Sequence, residues 1–563
     1  MKKQTFFFCV VFAAGIILLS GCRNVAPGGS AAMTPGSYQA TAQGFYGDFE
    51  VTVTVSETAI TGITTGPYQE TEALGGKAIK LLIQNIIQAN TAGVDHVSGA
   101  TVTSAAFKAA VAQALAQAGA PEALTAVPLR PAQAEETLTT DVLVIGAGAA
   151  GFSAAITAAQ GGANVIIIEK QDIIGGSTVT SAGIVYAALD SQDYDRMVNY
   201  YLQRAGGNAD RAMLTYFAQH SLETISFLED LGVKWMMTIP AGTAPEPRAR
   251  FSMHDDGTAM IGSSLINPME AAAKALGVTI LTGLRATSLI QNDAGAVTGA
   301  IGESRTTRYT LNAGAVILAT GGFDASEELK ARYAPVAVGD FPLSSKGNVG
   351  DGIIMGQAAG AAVEFKGGVI GFEIVDGSLP SSGFNAAAMY CQIFVRTDGT
   401  FIGPCEDYPI NYTTFKRIGD SQYLGLFDAA NVNNPMVGNL PELAIARGFG
   451  WQGDTVQALA AAAGMDPSKL ADAIRQGGLG AGPYYAVVAK ASTIGSMGGL
   501  KTNTRAEVLR EGTGQPIPGL YAAGEVANGA FYNQEYPASG SSNSLSITFG
   551  RAAGTNAAAY LKR

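Results

Sequence analysis

Residues 36–65 alternate polar and apolar side chains, with Thr and Val recurring at period two and Gly at the breaks, the pattern of short antiparallel strands. The period then lengthens: 75–92 and the Ala-rich 104–117 carry helical spacing, so 36–118 is predicted to form a small α+β domain. From 119 to 139 the chain is rich in Pro, Ala and Glu, which reads as an extended linker. A second domain opens at 140 with an apolar run, Val142 to Ile145, then closely spaced glycines, a helical stretch and another apolar run ending at Glu169. At the other extreme, Lys2 and Lys3 precede an apolar stretch from Phe6 to Leu19 that closes on Ser20-Gly21-Cys22 and is short for a membrane span.

A chain of 563 residues with 47% hydrophobic and 14% charged side chains has material for about two or three packed domains. Its 71 glycines are scattered among apolar runs without a period, which fits tight turns rather than low complexity. A net charge of −11 and the lack of Lys/Arg clusters argue against nucleic acid as a partner. With only three histidines and no Cys-x-x-Cys-His, neither c-type haem nor a metal site is expected. The segment 1–22 resembles a bacterial lipoprotein signal peptide. That resemblance implies lipidation of Cys22 and an extracytoplasmic protein held at a membrane surface by its lipid. Cys9 falls within the signal, which leaves Cys391 and Cys405; the compartment permits a disulfide there and the sequence does not establish one.

The stretch DVLVIGAGAAGFSAAITAAQGGANVIIIEK carries chemistry as well as pattern. Gly146, Gly148 and Gly151, with Ala149 and Ala150 between them, let the backbone reach a pyrophosphate at a helix N-terminus, and Glu169 can accept from a ribose hydroxyl. Further glycine turns follow in order: Gly175-Gly176-Ser177-Thr178, Ala319-Thr320-Gly321-Gly322-Phe323, Gly350-Asp351-Gly352, and PGLYAAGEV ending at Val526. Together these motifs resemble the FAD-binding pattern of the fumarate reductase and succinate dehydrogenase flavoprotein family. The resemblance implies an α/β, Rossmann-like FAD-binding domain over 140–361 and 486–563, with a cap inserted at 362–485. It also implies non-covalent FAD held by those glycines together with Lys170, Ser177, Thr178, Thr320, Gly321, Asp351, Glu525, Ser544 and Leu545.

Residues 95–101, DHVSGAT, resemble the acceptor sequence of FMN-binding domains, in which a flavin transferase joins FMN to the final Thr through a phosphoester. Here that residue is Thr101, flanked by Ser98, Gly99 and Ala100. The chemistry requires a hydroxyl on an exposed segment, small neighbours that admit the transferase, and an acid nearby, Asp95. Outside the cytoplasm no soluble nicotinamide pool is at hand, so a tethered FMN is expected to relay electrons from a membrane-linked donor to FAD.

Fumarate-reducing members grip two carboxylates with His, Thr and Arg and donate a proton from an Arg. At the corresponding places this chain has Phe372, Phe384-Asn385, Ala388, Ile494, Glu535-Tyr536-Pro537 and Tyr408. A buried dicarboxylate would find no cationic partner there, and the desolvation cost excludes fumarate as the expected substrate. Tyr408 and the run Tyr536-Pro537-Ala538-Ser539-Gly540 instead resemble 3-ketosteroid dehydrogenases, a branch of the same family. Carried over, Tyr408 is the general acid, while the Tyr536 hydroxyl and the Gly540 N–H polarise a ketone oxygen. Phe372, Phe384 and Met389 are candidate lining for an apolar pocket.

The expected activity is therefore reduction of a C=C bond conjugated to a carbonyl in a small molecule. One alternative is an unsaturated carboxylate of the urocanate or acrylate type, bound through groups such as Arg396 or Arg417. The other is a flavin shuttle to a protein partner. Among the histidines, His254 lies near a candidate site loop, His96 in the flavin loop and His220 on a helix; structural roles are expected for all of them.

Overall fold

In the computed structural model, residues 33–562 are described apart from 45–47, 69, 71, 122–123, 125–133, 259–260, 376–386, 407, 420–421 and 435–436. Residues 1–22, expected to be a signal segment, with Cys9 and Cys22, and the pair Phe384-Asn385, lie outside the described residues.

The first unit is a three-stranded antiparallel sheet of β1 (Gly36–Gln43), β2 (Asp48–Val55) and β3 (Ile60–Thr65). Alternation decides which face is covered: Phe49, Val51, Val53 and Val55 point inward from β2, against Ile79, Leu82 and Ile86 of α1 (Lys77–Ala89) and Phe107, Val111 and Leu115 of α2 (Thr101–Gln117). Helix α2 starts at Thr101, ahead of the expected 104, so the residue expected to be the acceptor is the first of a helix rather than part of a loop. Ser104 closes that first turn: its N–H and its hydroxyl both donate to Ala100 O, at 2.9 and 2.8 Å, and its Oγ accepts from Val97 N.

The second unit is built on β4 (Ala134–Ile145), at the centre of an eight-stranded sheet and parallel to both β5 (Val165–Ile168) and the strand Thr307–Leu318. β4 begins inside the stretch read as linker. Residues 134–139 are largely exposed, and they are held by ladder pairing with 307–312 rather than by burial. Helix α3 (Ala149–Gln160) and the C-terminal helix Ser541–Tyr560 pack together, joining small residues such as Gly554 to Ala154. The inserted region forms a seven-stranded sheet whose core strands are Ile393–Arg396, Tyr423–Phe427 and Tyr484–Ser496. The last of these runs without a break through 485, so the expected cap boundary falls within a continuous strand. At its far end it pairs with Val369–Ile374, which carries the cap's inner wall to the nucleotide-binding unit. Cys391 and Cys405 are free thiols.

Candidate active site

The turn after β4 explains its own glycines. A Cβ on Gly146, where φ is +111°, would lie 2.2 Å from Ala319 O, and one on Gly151 would lie 1.9 Å from Gly146 O. Both are required by backbone packing. Gly148, the N-cap of α3, differs: a Cβ there would meet nothing nearer than 3.8 Å, so its neighbourhood is open space at a helix N-terminus. Glu169 ends β5 nearly buried; its two oxygens accept from Ala147 N and Gln171 N, each at 2.9 Å, and burial raises its pKa. Two acceptor sites remain on that carboxylate for a diol.

A cavity of about 620 Å³ starts here. Of the sequence-predicted cofactor residues, Gly146, Gly148, Ala149, Ala150, Glu169, Lys170, Gly176, Ser177, Thr178, Thr320, Gly321, Asp351 and Glu525 line it. Gly151 and Gly175 stand behind the wall, the latter at φ +114° against Val179. Ser544 and Leu545 are not among its lining residues: Leu545 belongs to the apolar core and Ser544 is fully buried, while Ser542, Asn543 and Ser546 of the same turn reach the cavity. Thr320 Oγ1 is buried at the cavity with no hydrogen-bond partner among the described residues, an orphan that a bound dinucleotide would satisfy. The open helix terminus, the Glu169 carboxylate and this hydroxyl together fit FAD. The N-terminus of α2, whose N-cap Ala100 makes no side-chain cap bond, fits a phosphoester on Thr101.

The sequence reading missed Gln171, Ser345 and Asn348, all at the cavity. Asn348 Nδ2 lies within hydrogen-bond distance of Ser177 Oγ, Asp324 Oδ1 and Glu525 Oε2, at 3.1, 3.1 and 3.3 Å, and so ties two buried acids together. Ser344 and Thr493 hydroxyls also donate to Asp324, which favours its ionised form against the burial that raises its pKa. Burial first, and the Asp324 charge second, push Glu525 up to about 8. An acid whose folded pKa is raised favours folding fully below its unfolded value, and that contribution is lost as pH rises through about 8. Glu525→Gln is expected to flatten the fall in thermal midpoint between pH 5 and pH 9; an unchanged slope in calorimetry would reject this assignment.

At the other end of the cavity Ile370, Phe372 and Ile374 project from one face of their strand, as period two requires, and meet Met389, Tyr390, Tyr408, Ile494 and Tyr536. Ring centroids are 5.2 Å apart for Phe372 and Tyr408 and 6.2 Å apart for Tyr408 and Tyr536. Tyr408 is the first residue of helix Tyr408–Ile418, and Gly540, at φ +88°, is the N-cap of Ser541–Tyr560. A Cβ on Gly540 would lie 2.8 Å from Ile184 Cγ2 and 3.0 Å from Tyr186 N, so only glycine fits. Tyr536 Oη accepts the Ser542 N–H at 2.8 Å.

Charge separates the two ends. Lys170 and Arg285 line the cavity beside Glu169, and both pair with Asp351, at 2.7 and 2.6 Å. No other Lys, Arg or His is among its described lining residues. Arg396 sits at a hairpin turn and Arg417 is exposed on its helix; neither lines the cavity. His254 bonds Ser263 Oγ at 2.8 Å, His220 pairs with Glu223, and His96 is lowered by burial.

Residues 141–366 and 451–542 match the FAD binding domain family, and 44–116 match the FMN-binding domain family. Urocanate reductase of Eggerthella lenta is 29% identical, with 97% of this chain and 96% of that protein aligned. The open conformation of a flavocytochrome c3 fumarate reductase superposes with a TM-score of 0.63 at 27% identity, covering 76% of this chain and 79% of the other. The 3-ketosteroid Δ1-dehydrogenase of Sterolibacterium denitrificans shares the fold, with a TM-score of 0.66 at 20% identity over 75% of this chain and 99% of that one.

Proposed function

The chain belongs to the FAD binding domain family of flavin-dependent oxidoreductases acting on CH–CH groups, and from that premise we propose that it reduces a C=C bond conjugated to a neutral ketone. The observation that carries this reading is the uncharged cavity end around Phe372, Tyr408 and Tyr536, where no described lining side chain bears a positive charge. Bound FAD supplies hydride equivalents. The chain's own residues do the rest: Tyr536 O–H and Gly540 N–H hold the ketone oxygen as it becomes an enolate, and Tyr408 gives its proton to the α-carbon. Apolar side chains keep water from the reacting atoms.

Electrons are proposed to arrive from a membrane-linked donor through FMN esterified to Thr101 by a flavin transferase. The protein is proposed to work outside the cytoplasm, held at the membrane by lipid on Cys22. A urocanate-type acid is the second reading, favoured by the likeness to urocanate reductase along nearly the whole chain. Neutral enones and unsaturated acids assayed in parallel, with a reduced dye as donor, separate the two. Turnover of ring enones is expected, and turnover confined to acids would overturn the first reading. Reoxidation of the reduced protein by an enone alone would dispose of a shuttle role.

A further inference from the structure

The two flavin-binding units touch through two charged contacts that the substrate chemistry does not use, a single ion pair of Lys77 with Glu270 at 3.6 Å and a cluster around Arg305. Arg305 sits in the tight turn between the strands Val297–Glu303 and Thr307–Leu318 of the FAD-binding unit. Its Nε lies 3.0 Å from Asp95 Oδ2, and its Nη2 lies 2.8 Å from Asp172 Oδ2 and donates to His96 O at 3.3 Å. Asp172 in turn accepts the Ser98 N–H at 2.8 Å. One guanidinium thus joins an acid on each unit, Asp95 falling within the six residues that precede Thr101, the first of α2. Apolar contact follows it inward: Ile173 is buried in the core of the FMN-binding unit, and Leu74 of that unit lines the FAD cavity. Beside Gly99 lies the Gln171 side chain, which accepts from Ser345 Oγ, and Ser345 N donates to Ser177 Oγ at the cavity wall.

We infer that Arg305 is a positioning residue, which docks the FMN-binding unit with the Thr101 end of α2 turned toward the FAD cavity so that electrons cross between the flavins. This rests on the proposed relay from FMN to FAD. Two electrons cross, oxidising FMN and reducing FAD, with one proton released to water and one taken from it. Both ion pairs of Arg305 are partly exposed, so the contact is weak enough to open and is screened by salt over about 10 Å at 0.1 M. A unit that must also meet a donor needs such a reversible hold.

The experiment uses the full flavinylated chain with Arg305→Glu, which sets a like charge against Asp95 and Asp172, and Arg305→Lys, which keeps the sign. After FMN is reduced by a rapid pulse, the FMN-to-FAD rate is expected to fall about tenfold or more in Arg305→Glu and to recover in Arg305→Lys. The native rate is expected to fall as salt rises, whereas the Arg305→Glu rate rises as repulsion is screened. Small-angle scattering at low salt is expected to show a larger radius of gyration for Arg305→Glu alone. An unchanged radius together with an unchanged salt dependence would overturn the clasp. If Arg305→Glu expands while the native protein itself passes no electrons from FMN to FAD, the relay is wrong and the docking contact stands.

Discussion

Tyr536→Phe is expected to lower kcat for an enone by about 10²–10³, the loss of about 3 kcal/mol typical when one donor to a developing oxyanion is removed. The enolate oxygen has two proposed donors, and only the hydroxyl can be deleted without moving the backbone. KM should change little, because a neutral ketone asks less of a donor than the enolate does. The same substitution leaves the Ser542 N–H without its acceptor, at a cost of about 1–3 kcal/mol in stability. A lower thermal midpoint is therefore expected with full FAD content, and the absorbance of bound flavin separates a chemical defect from a folding one. A variant that binds FAD normally and retains kcat within about threefold would remove Tyr536 from the chemistry. Tyr408→Phe should instead abolish the proton-donor limb of the pH–rate profile, since its proposed role is transfer rather than polarisation.

These residues were legible in unequal ways. The nucleotide turn could be read locally because glycine spacing, strand and acid fall within one supersecondary unit, and the clashes at Gly146 and Gly151 show why other residues fail there. Tyr408 and Tyr536 stand far apart in the chain, and no period brings them together; their meeting depends on the cap strand Val369–Ile374 carrying Phe372 to the cavity. Residues 134–139 misled because a strand held by its ladder, with side chains in water, has no apolar alternation to display. The cap boundary misled for another reason: Tyr484–Ser496 is buried along most of its length, and its apolar run, Tyr484 to Ala489, spans the expected boundary without a turn residue to mark it. Asn348 carries no pattern of its own, and its importance comes from two acids that only the fold brings together.

Thr101→Val should give a protein that carries FAD and no covalent FMN when it is produced with a flavin transferase. Valine keeps the branched shape at the start of α2 and removes only the hydroxyl proposed to carry the phosphoester. The neighbouring hydroxyls are poor substitutes for it. Thr103 is buried and donates to Glu70 at 2.8 Å, and Ser104 is buried and donates to Ala100 O. Ser98 is exposed, so Ser98→Ala serves as the control and is expected to keep its FMN. Attachment also puts phosphate charge at a helix terminus that no side chain caps, which stabilises the helix by about 0.3–1 kcal/mol, so the valine variant should melt slightly earlier. Mass spectrometry reads the first outcome directly. Kinetics read the consequence: enone reduction driven by a small reduced dye should persist, while reduction driven from membranes should stop. Covalent FMN on the valine variant would move the acceptor elsewhere, and membrane-driven turnover without FMN would show that electrons reach FAD by another route.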